Sequence, residues 1–121
     1  MSGVSSKPFD KPDATRALGS AQTDIVELEG ATVARMRAEP GWRWSEDVKP
    51  IVGGDHCQAL HLGYCISGSL HVVHQDGTET DISPGDTYVI KPDHDAWVTS
   101  DNTFEALEFQ SDTAAGYAAA P

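Results

Sequence analysis

The sequence predicts an all-β fold, in which short antiparallel strands form a sandwich or a barrel. Between Asp24 and Gln110, no segment keeps apolar residues at helical spacing for three turns. Short strand-like runs instead follow one another at close spacing, and turn residues separate them. The 121 residues, of which 39% are hydrophobic, are enough for one domain with a buried core and too few for two.

The N-terminal part of the chain divides into an arm and a hairpin. Residues 1–22 mix Ser, Lys, Pro, Asp and Gly without apolar periodicity, so we expect an extended arm there. The barrel domain is expected over residues 23–112. Its first two strands, Asp24–Leu28 and Thr32–Ala38, flank Glu29-Gly30, a pair that is typical of a hairpin turn.

A long connection from Trp42 to Gly54 follows, and after it the strand pattern resumes. The further runs predicted as strands are His56–Leu62, Tyr64–Ser67, Ser69–His74, Glu79–Ile82, Thr87–Ile90, Ala96–Ser100 and Phe104–Gln110. Asp76-Gly77 predicts a hairpin turn, because Gly readily adopts a positive φ. Residues 113–121 are rich in Ala and are predicted to be a tail outside the barrel.

The charge and the motifs exclude several classes of function. Nineteen Asp and Glu residues against eight Lys and Arg give a net charge of −11, which disfavours nucleic-acid and membrane partners. No apolar run is long enough for a transmembrane helix, and the N-terminus lacks an apolar signal core, so we expect a cytoplasmic protein. Cys57 and Cys65 are predicted to be free thiols. The sequence contains no G-x-S-x-G, P-loop, G-x-G-x-x-G or C-x-x-C motif.

The predicted strand around Tyr64 is apolar on both faces. His61, Gly63 and Cys65 share one face, and Leu62, Tyr64 and Ile66 share the other. Such a strand meets a second layer on its outer side. One interpretation is a homodimer packed sheet to sheet, and the other is packing under the N-terminal strands of the same chain.

The turns and glycines of the central segment resemble the two-motif core of the cupin superfamily. The resemblance rests on His61–Gly68, Asp76-Gly77 and Pro84–Pro92, and it covers about residues 50–101. Cupins are small jelly-roll barrels, also called double-stranded β-helices, with the motifs G-x5-H-x-H-x3–4-E-x6-G and G-x5-P-x-G-x2-H-x3-N. The resemblance therefore implies a cupin barrel.

Two shorter segments narrow the resemblance to one subgroup. Gly41–Trp44 reads Gly-Trp-x-Trp, and His94–Trp97 reads His-Asp-Ala-Trp. These segments are similar to those of a cupin subgroup for which no reaction is settled.

The chain departs from the cupin motifs at the positions that hold a metal in many members. Those members use the two His and the Glu of the first motif and the His of the second. Here His61 stands at the Glu position, and Ala96 stands at the last His position. The two His positions of the first motif fall on Asp55 and Cys57 with the shorter spacing, or on Gly54 and His56 with the longer one.

The remaining donors still favour a transition-metal site. His56, Cys57, His61 and His94 are the donors expected at the barrel mouth, and a thiolate with imidazoles suits a divalent Zn or Fe ion. Cys57 and His61 face the same side of a continuous strand but lie about 13 Å apart, so a bend near Gln58-Ala59 is required. The alternative interpretation is that Cys57 fills the core and that a backbone carbonyl satisfies His61.

Aromatic and polar residues near the motifs are candidates for a small-molecule pocket. Trp97 and Tyr88 are predicted to line it. Cys65 is interpreted either as a third lining residue or as a buried, inert thiol. Trp42 and Trp44 are interpreted either as pocket walls or as core packing. 

Several charged and polar residues have two interpretations each. Arg43 or Lys49 is a candidate to receive a substrate carboxylate, the alternative being a surface pair with Glu46 or Asp47. Asp93 and Asp95 are interpreted as solvated or as acceptors that fix the His94 imidazole. His71 and His74 have opposite parity in one strand and are predicted to lie on the surface.

Two functions are consistent with these residues. The first is a metal-dependent enzyme, of the isomerase, hydratase or oxygenase type, that acts on a small organic metabolite. In it His61 and His94 are the predicted catalytic residues, as metal ligands or as general acid and base. The second is a non-catalytic ligand-binding or sensor module with a degenerate metal site. A structural subunit docked by its N-terminal arm is a third interpretation.

Overall fold

Two antiparallel β-sheets make up the architecture, and a computed structural model describes it for residues 3–109. Within these residues the strands are β1 (Ala14–Leu18), β2 (Ala21–Leu28), β3 (Ala31–Ala38), β4 (His61–Ser67), β5 (Leu70–His74), β6 (Glu79–Ile82), β7 (Thr87–Ile90), β8 (His94–Val98) and β9 (Phe104–Phe109). The larger sheet has the order β1-β2-β3-β9-β4-β7, and the smaller has the order β6-β5-β8. The predicted all-β fold is confirmed.

The larger sheet begins earlier than the sequence pattern predicts. Residues Ala14–Leu18, inside the predicted arm, form β1 and pair with β2 from Ala14 opposite Ile25 to Leu18 opposite Ala21. The predicted domain boundary at residue 23 therefore falls inside β2. Its residues do not alternate between apolar and polar, because Arg16 lies on the covered face and Ala17 on the exposed face. The predicted tail, 113–121, lies outside the described residues.

The predicted hairpin at Glu29-Gly30 is confirmed. Glu29 and Gly30 both have positive φ, 42° and 93°, as the tight turns that match the twist of a hairpin require. Leu28 pairs with Ala31 directly across the turn.

Two single-turn helices occupy the long connection between β3 and β4. They are α1 (Trp44–Asp47) and α2 (Lys49–Val52), and each is too short to produce a helical apolar stripe in the sequence. The Asp47 carboxylate accepts a hydrogen bond of 2.9 Å from the backbone N–H of Arg43, which ties the last residue of α1 to the residue before the helix. This turn directs Trp44 and Val48 into the interior, where both are buried.

The core lies between the two sheets and follows strand alternation. On β4 the buried residues Gly63 and Cys65 face inward, whereas Leu62, Tyr64 and Ile66 face outward and are 50%, 41% and 43% exposed. The described N-terminal strands do not cover this outer face, since β1 and β7 are the opposite edges of the larger sheet. Packing under the N-terminal strands is therefore wrong for the described residues, and the homodimer stays a prediction.

None of the helices among the described residues is long and apolar enough to cross a membrane.

Close packing at the β4–β5 turn gives a stability prediction. Gly68 has a φ of 70°, and a Cβ added there would lie 2.5 Å from the Thr103 carbonyl oxygen. Gly77 has a φ of 93° and open space around it. We expect Gly77→Ala to lower the free energy of unfolding by about 1–2 kcal/mol through backbone strain alone. Gly68→Ala is expected to cost about 1–3 kcal/mol more, because the backbone itself must shift.

Chemical denaturation of both variants measures the difference directly. Equal midpoints and slopes for Gly68→Ala and Gly77→Ala would contradict the close packing of this turn.

Candidate metal centre

Three side chains that can ligate a metal meet at one end of the barrel interior. They are Cys57 from the β3–β4 connection, His61 at the start of β4 and His94 at the start of β8. One donor atom from each lies within 4.8 Å of the other two. The rings of His61 and His94 meet edge to face, with centroids 5.1 Å apart. Imidazoles from two strands of different sheets therefore do share one cavity.

Cys57 reaches this cluster because the chain is not a continuous strand between it and His61. Cys57 instead forms an isolated bridge with His94: its N–H donates to the His94 carbonyl at 2.7 Å, and its carbonyl accepts from the His94 N–H at 3.2 Å. β4 begins only at His61. The predicted strand His56–Leu62 is thus interrupted, and the required bend before His61 is present.

A buried carboxylate orients the His61 ring. Nδ1 of His61 donates to Glu108, 2.9 Å from Oε1 and 3.1 Å from Oε2. The Tyr88 hydroxyl donates to Oε2 of the same carboxylate at 3.0 Å. Glu108 is only 1% exposed, so these hydrogen bonds replace the water that its charge has lost. With Nδ1 engaged, Nε2 is the nitrogen that His61 offers to the cluster.

A backbone carbonyl orients the His94 ring. Nδ1 of His94 donates to the Lys91 carbonyl oxygen at 2.9 Å, which fixes the protonated nitrogen as Nδ1. Neither neighbouring aspartate takes this role. Asp93 accepts a hydrogen bond from Gln58, and Asp95 accepts from Arg43 and from the Ser45 N–H. The interpretation that Asp93 or Asp95 fixes His94 is wrong, because the Lys91 carbonyl takes this role and both carboxylates bond other groups.

The cluster stabilises a thiolate beside an imidazolium. Burial alone would raise the pKa of Cys57, but hydrogen bonds and positive charge from His61 and His94 outweigh it and lower the pKa to about 6. Burial would lower the pKa of His61, but the Glu108 charge and the Cys57 contact raise it to about 10. Burial and the Glu108 charge both raise the pKa of Tyr88. Tyr88 therefore remains a hydrogen-bond donor.

The cluster opens into a mostly apolar cavity of about 60 Å³, enough for a handful of water-sized groups. The residues that line it are Arg16, Leu18, Thr23, Met36, Trp42, Trp44, Val48, Cys57, His61, Leu70, Tyr88, Ile90, His94, Ala96, Phe104 and Glu108. Trp42 and Trp44 are both buried and both line the cavity, so each of the two interpretations given to them holds.

The cavity contains some of the predicted pocket residues and not others. Tyr88 lines it. Trp97 does not, because it has the opposite parity to His94 on β8 and packs on the outer surface against His71 and Arg43. Cys65 is fully buried on the inward face of β4, and it does not line the cavity. His56 is partly exposed and lies outside the ligand cluster.

The charged and histidine candidates outside the cluster have surface partners. Arg43 pairs with Asp95 at 3.3 Å, and Lys49 lies 3.8 Å from Asp55, so neither cation lines the cavity. Both cations therefore form surface pairs, but with Asp95 and Asp55 instead of Glu46 or Asp47. His71 bonds Asp81 and Glu79 near the surface, in line with its predicted placement, and His74 donates to the Pro92 carbonyl.

Sequence reasoning missed two residues of this site, Glu108 and Arg16. Glu108 has the same parity on β9 as the buried residues Phe104 and Ala106. Strand alternation alone could therefore have identified it as a carboxylate on the inward face. Arg16 lies on β1, inside the segment predicted to be an arm, so no signal placed it near the cavity.

The three donors are of the types that a divalent transition metal prefers. One thiolate and two imidazoles are the ligands of catalytic Zn²⁺ sites of the Cys-His type, and Fe²⁺ accepts the same donors. Both rings have Nδ1 held by an acceptor, which is the arrangement that orients a metal-ligating imidazole. The residues present therefore fit a divalent transition metal.

The electrostatics of the cluster predict the protonation state of Cys57 in protein stripped of metal. A pKa near 6 means that the thiolate is the main form at pH 7.5, although the side chain is only 3% exposed. Ultraviolet absorbance of the thiolate, measured from pH 5 to 10, should show one transition near pH 6. Burial raises the pKa of Cys65, so its transition should fall at the alkaline end.

Cys57→Ser is expected to remove the transition near pH 6 and to leave the alkaline one. A single transition above pH 8 for both thiols would contradict the pairing of Cys57 with the two imidazoles. Glu108→Gln should move the Cys57 transition upward, because it removes the charge that keeps His61 protonated.

Comparison with known proteins gives matches only among solved structures. No protein-family model and no curated protein sequence matches the chain. A protein of unknown function from Rhizobium leguminosarum bv. viciae 3841 matches with a TM-score of 0.62 and 14% identity, over 89% of this chain and 96% of that one. 

Two further structures match at similar levels. A Klebsiella pneumoniae protein described as having a double-stranded β-helix domain matches with a TM-score of 0.55 and 20% identity, over 90% of this chain and 89% of that one. The oxalate decarboxylase of Lactobacillus farciminis, in a formate complex, matches with a TM-score of 0.60 and 17% identity, over 90% of this chain and 33% of that one. At these identities the likeness concerns architecture alone, and it shows that the chain has a double-stranded β-helix fold.

Proposed function

We propose that this protein is a metal-dependent enzyme that acts on a small organic molecule inside its barrel. Cys57, His61 and His94 hold one divalent Zn or Fe ion in this proposal. The observation that carries it is the convergence of three soft or borderline donors at one cavity, within 4.8 Å of one another. The resemblance to cupins, many of which hold a metal inside the barrel, supports the same proposal.

Both histidines act as ligands rather than as proton carriers in this proposal. A ring bound to metal through Nε2, with Nδ1 donating to Glu108 or to the Lys91 carbonyl, has no nitrogen left for proton transfer to a substrate. The ion itself would supply Lewis-acid activation of a substrate oxygen or of water. Glu108 is a positioning residue for His61 and also holds the Tyr88 hydroxyl at the cavity wall.

The volume of the cavity limits the size of the substrate, and its lining sets the polarity around the substrate. About 60 Å³ admits a molecule of only a few heavy atoms beside the ligand cluster. Its walls are mainly Leu, Val, Ile, Met, Phe and Trp side chains, which exclude water and strengthen electrostatic interactions at the reacting groups. The substrate class supported best is a small, compact metabolite.

A non-catalytic binding module is the second candidate, and one observation favours it. Glu108 is the only carboxylate among the described residues that line the cavity, and Tyr88 and His61 already engage it. No further general base is thus available from the described residues, apart from the ligands themselves. Turnover of any compound in a substrate screen, lost in parallel with metal, separates the enzyme from the binding module.

Metal content tests the first part of the proposal. Protein purified without a histidine tag should contain close to one Zn or Fe per chain by elemental analysis. Cys57→Ser and His94→Ala should lower this content to a small fraction, because two donors cannot hold the ion tightly. Glu108→Gln should weaken metal affinity by about 10- to 100-fold, since it releases the His61 ring.

His56→Ala is the matched control, because His56 is adjacent to Cys57 in sequence but lies outside the cluster. Its metal content should equal that of the unaltered protein. Loss of metal in His56→Ala to the same extent as in Cys57→Ser would contradict the assigned ligand set, and so would unaltered protein without stoichiometric metal.

We also propose that the protein is a homodimer that buries the apolar outer face of the larger sheet. This face consists of Leu62, Tyr64, Ile66, Val89 and Phe109, which are 41–60% exposed. It lies on the three adjacent strands β9, β4 and β7. A continuous apolar patch of this kind is typical of an interface. A second copy suits it, because two chains of charge −11 approach with least repulsion through an uncharged face.

Leu62→Asp tests the dimer, because it places a charge at the centre of the apolar face. Light scattering coupled to size-exclusion chromatography should give the mass of a dimer for the unaltered protein and of a monomer for the variant. Ile51→Asp, on the exposed side of α2, is the control and should remain dimeric. A monomeric unaltered protein at micromolar concentration would contradict the proposal.

A further inference from the structure

Two buried donors at the cavity lack an acceptor. Among the described residues, the buried side-chain nitrogen and oxygen atoms without a hydrogen-bond partner are Arg16 Nε, Arg35 Nε and Trp44 Nε1. Arg16 and Trp44 both line the cavity that contains the ligand cluster. A buried donor left without an acceptor costs about 1–3 kcal/mol, so two at one cavity require an explanation.

Arg16 differs from the other three arginines in its lack of a carboxylate partner among the described residues. The sequence contains four arginines. Arg35 and Arg37 both pair with Asp24, and Arg43 pairs with Asp95. In the described part of the chain Arg16 forms no ion pair, and its one hydrogen bond runs from an Nη to the Thr15 carbonyl at 3.1 Å. The sequence contains nineteen acidic residues, yet among the described residues Arg16 is the only arginine without a carboxylate partner, and it lines the cavity.

Trp44 supplies an independent observation on a different element. It lies on α1 and is 3% exposed, whereas Arg16 lies on β1. The neighbouring Trp42 also lines the cavity, but its Nε1–H donates to the Leu18 carbonyl at 3.1 Å. The chain thus satisfies one indole at this wall and leaves the other indole without an acceptor.

We propose that Arg16 and Trp44 form a subsite for the carboxylate of a small organic acid. The guanidinium supplies charge and a planar set of donors that matches a carboxylate, and the indole N–H supplies one further hydrogen bond. The cavity of about 60 Å³ limits the ligand to an acid of a few carbon atoms. A single guanidinium suits a monoanionic carboxylate better than a phosphate ester, and Arg16 is the only Lys or Arg among the described residues that line the cavity.

The subsite defines the substrate class of the proposed enzyme. That the bound acid is a substrate rests on the proposed function, whereas binding of the acid does not. In the enzyme, the carboxylate binds at the wall formed by β1 and α1, and the rest of the molecule extends into the apolar cavity that the ligand cluster shares. Binding of the acid itself needs only Arg16 and Trp44, so it can be measured whether or not the protein contains metal.

The experiment compares small carboxylates with their neutral amides. The probes are acetate, propionate and pyruvate, against acetamide and propionamide, with calorimetric titration and thermal shift as readouts. The carboxylates are expected to bind and to raise the melting temperature, and the amides are not. Arg16→Gln should weaken carboxylate binding by at least about tenfold, and Trp44→Phe by about three- to tenfold. Arg16→Lys should recover part of the loss, because it restores charge without the planar donors.

Arg37→Gln is the matched control, because it removes an arginine that is paired outside the cavity. Its carboxylate binding should not change. Every titration is repeated on protein stripped of metal, with metal content recorded for each variant. Binding that is lost on stripping but unchanged in Arg16→Gln would mean that the metal alone holds the carboxylate, and it would overturn the subsite.

The outcomes separate the two proposals. Carboxylate binding that persists without metal and falls in Arg16→Gln supports the subsite even if the protein holds no metal and the proposed enzyme fails. Equal binding of acids and amides, or no binding of either, would overturn the subsite whatever the metal content.

Discussion

The carboxylate of Glu108 is the group on which the interior of this barrel depends. A charge that is 1% exposed is stable in a protein only when partners replace its lost hydration, and here His61 and Tyr88 do so. The same two hydrogen bonds hold one imidazole at the ligand cluster and one phenol at the cavity wall. Glu108 also keeps His61 positively charged when no metal is bound, and this in turn stabilises the Cys57 thiolate.

The sheet order explains how these groups meet. β9 lies between β3 and β4, and β7 lies on the other side of β4, so Glu108, His61 and Tyr88 come from three neighbouring strands of one sheet. His94 comes from the other sheet, and Cys57 reaches it through a bridge rather than through a strand. The Gly63 position between these strands has no room for a side chain, since a Cβ there would lie 2.6 Å from the Tyr88 hydroxyl oxygen. Glycine at this position lets the phenol approach the carboxylate.

The sequence predicted the architecture well, because strand alternation and turn residues are local signals. The Glu29-Gly30 and Asp76-Gly77 turns and most of the strands could be read directly. The β1 strand could not, because Arg16 lies on its covered face and Ala17 on its exposed face, which removes the apolar–polar alternation. In the site, parity placed His61 correctly on the inward face of β4, and it would also have excluded Trp97 once His94 was taken as inward.

The rest of the site depends on contacts between distant parts of the chain. Glu108 follows His61 by 47 residues, and only the β4–β9 pairing brings them together. The sequence could not decide whether His56 or Cys57 faces the barrel interior, because the strand register after Gly53-Gly54 was uncertain by one residue. The bridge between Cys57 and His94 places Cys57 in the interior. Arg16 was missed because the prediction of an arm removed β1 from the barrel.

The backbone bridge between Cys57 and His94 affects how a metal ion would bind to the ligand cluster. Main-chain hydrogen bonds of 2.7 and 3.2 Å hold these two residues opposite each other without help from any ion. Much of the conformational entropy that a metal would otherwise remove from its ligands is therefore already lost when the polypeptide folds. The ligand cluster is consequently shaped in advance, and a metal ion would bind without refolding of the barrel, unlike in small zinc domains whose folding requires the metal.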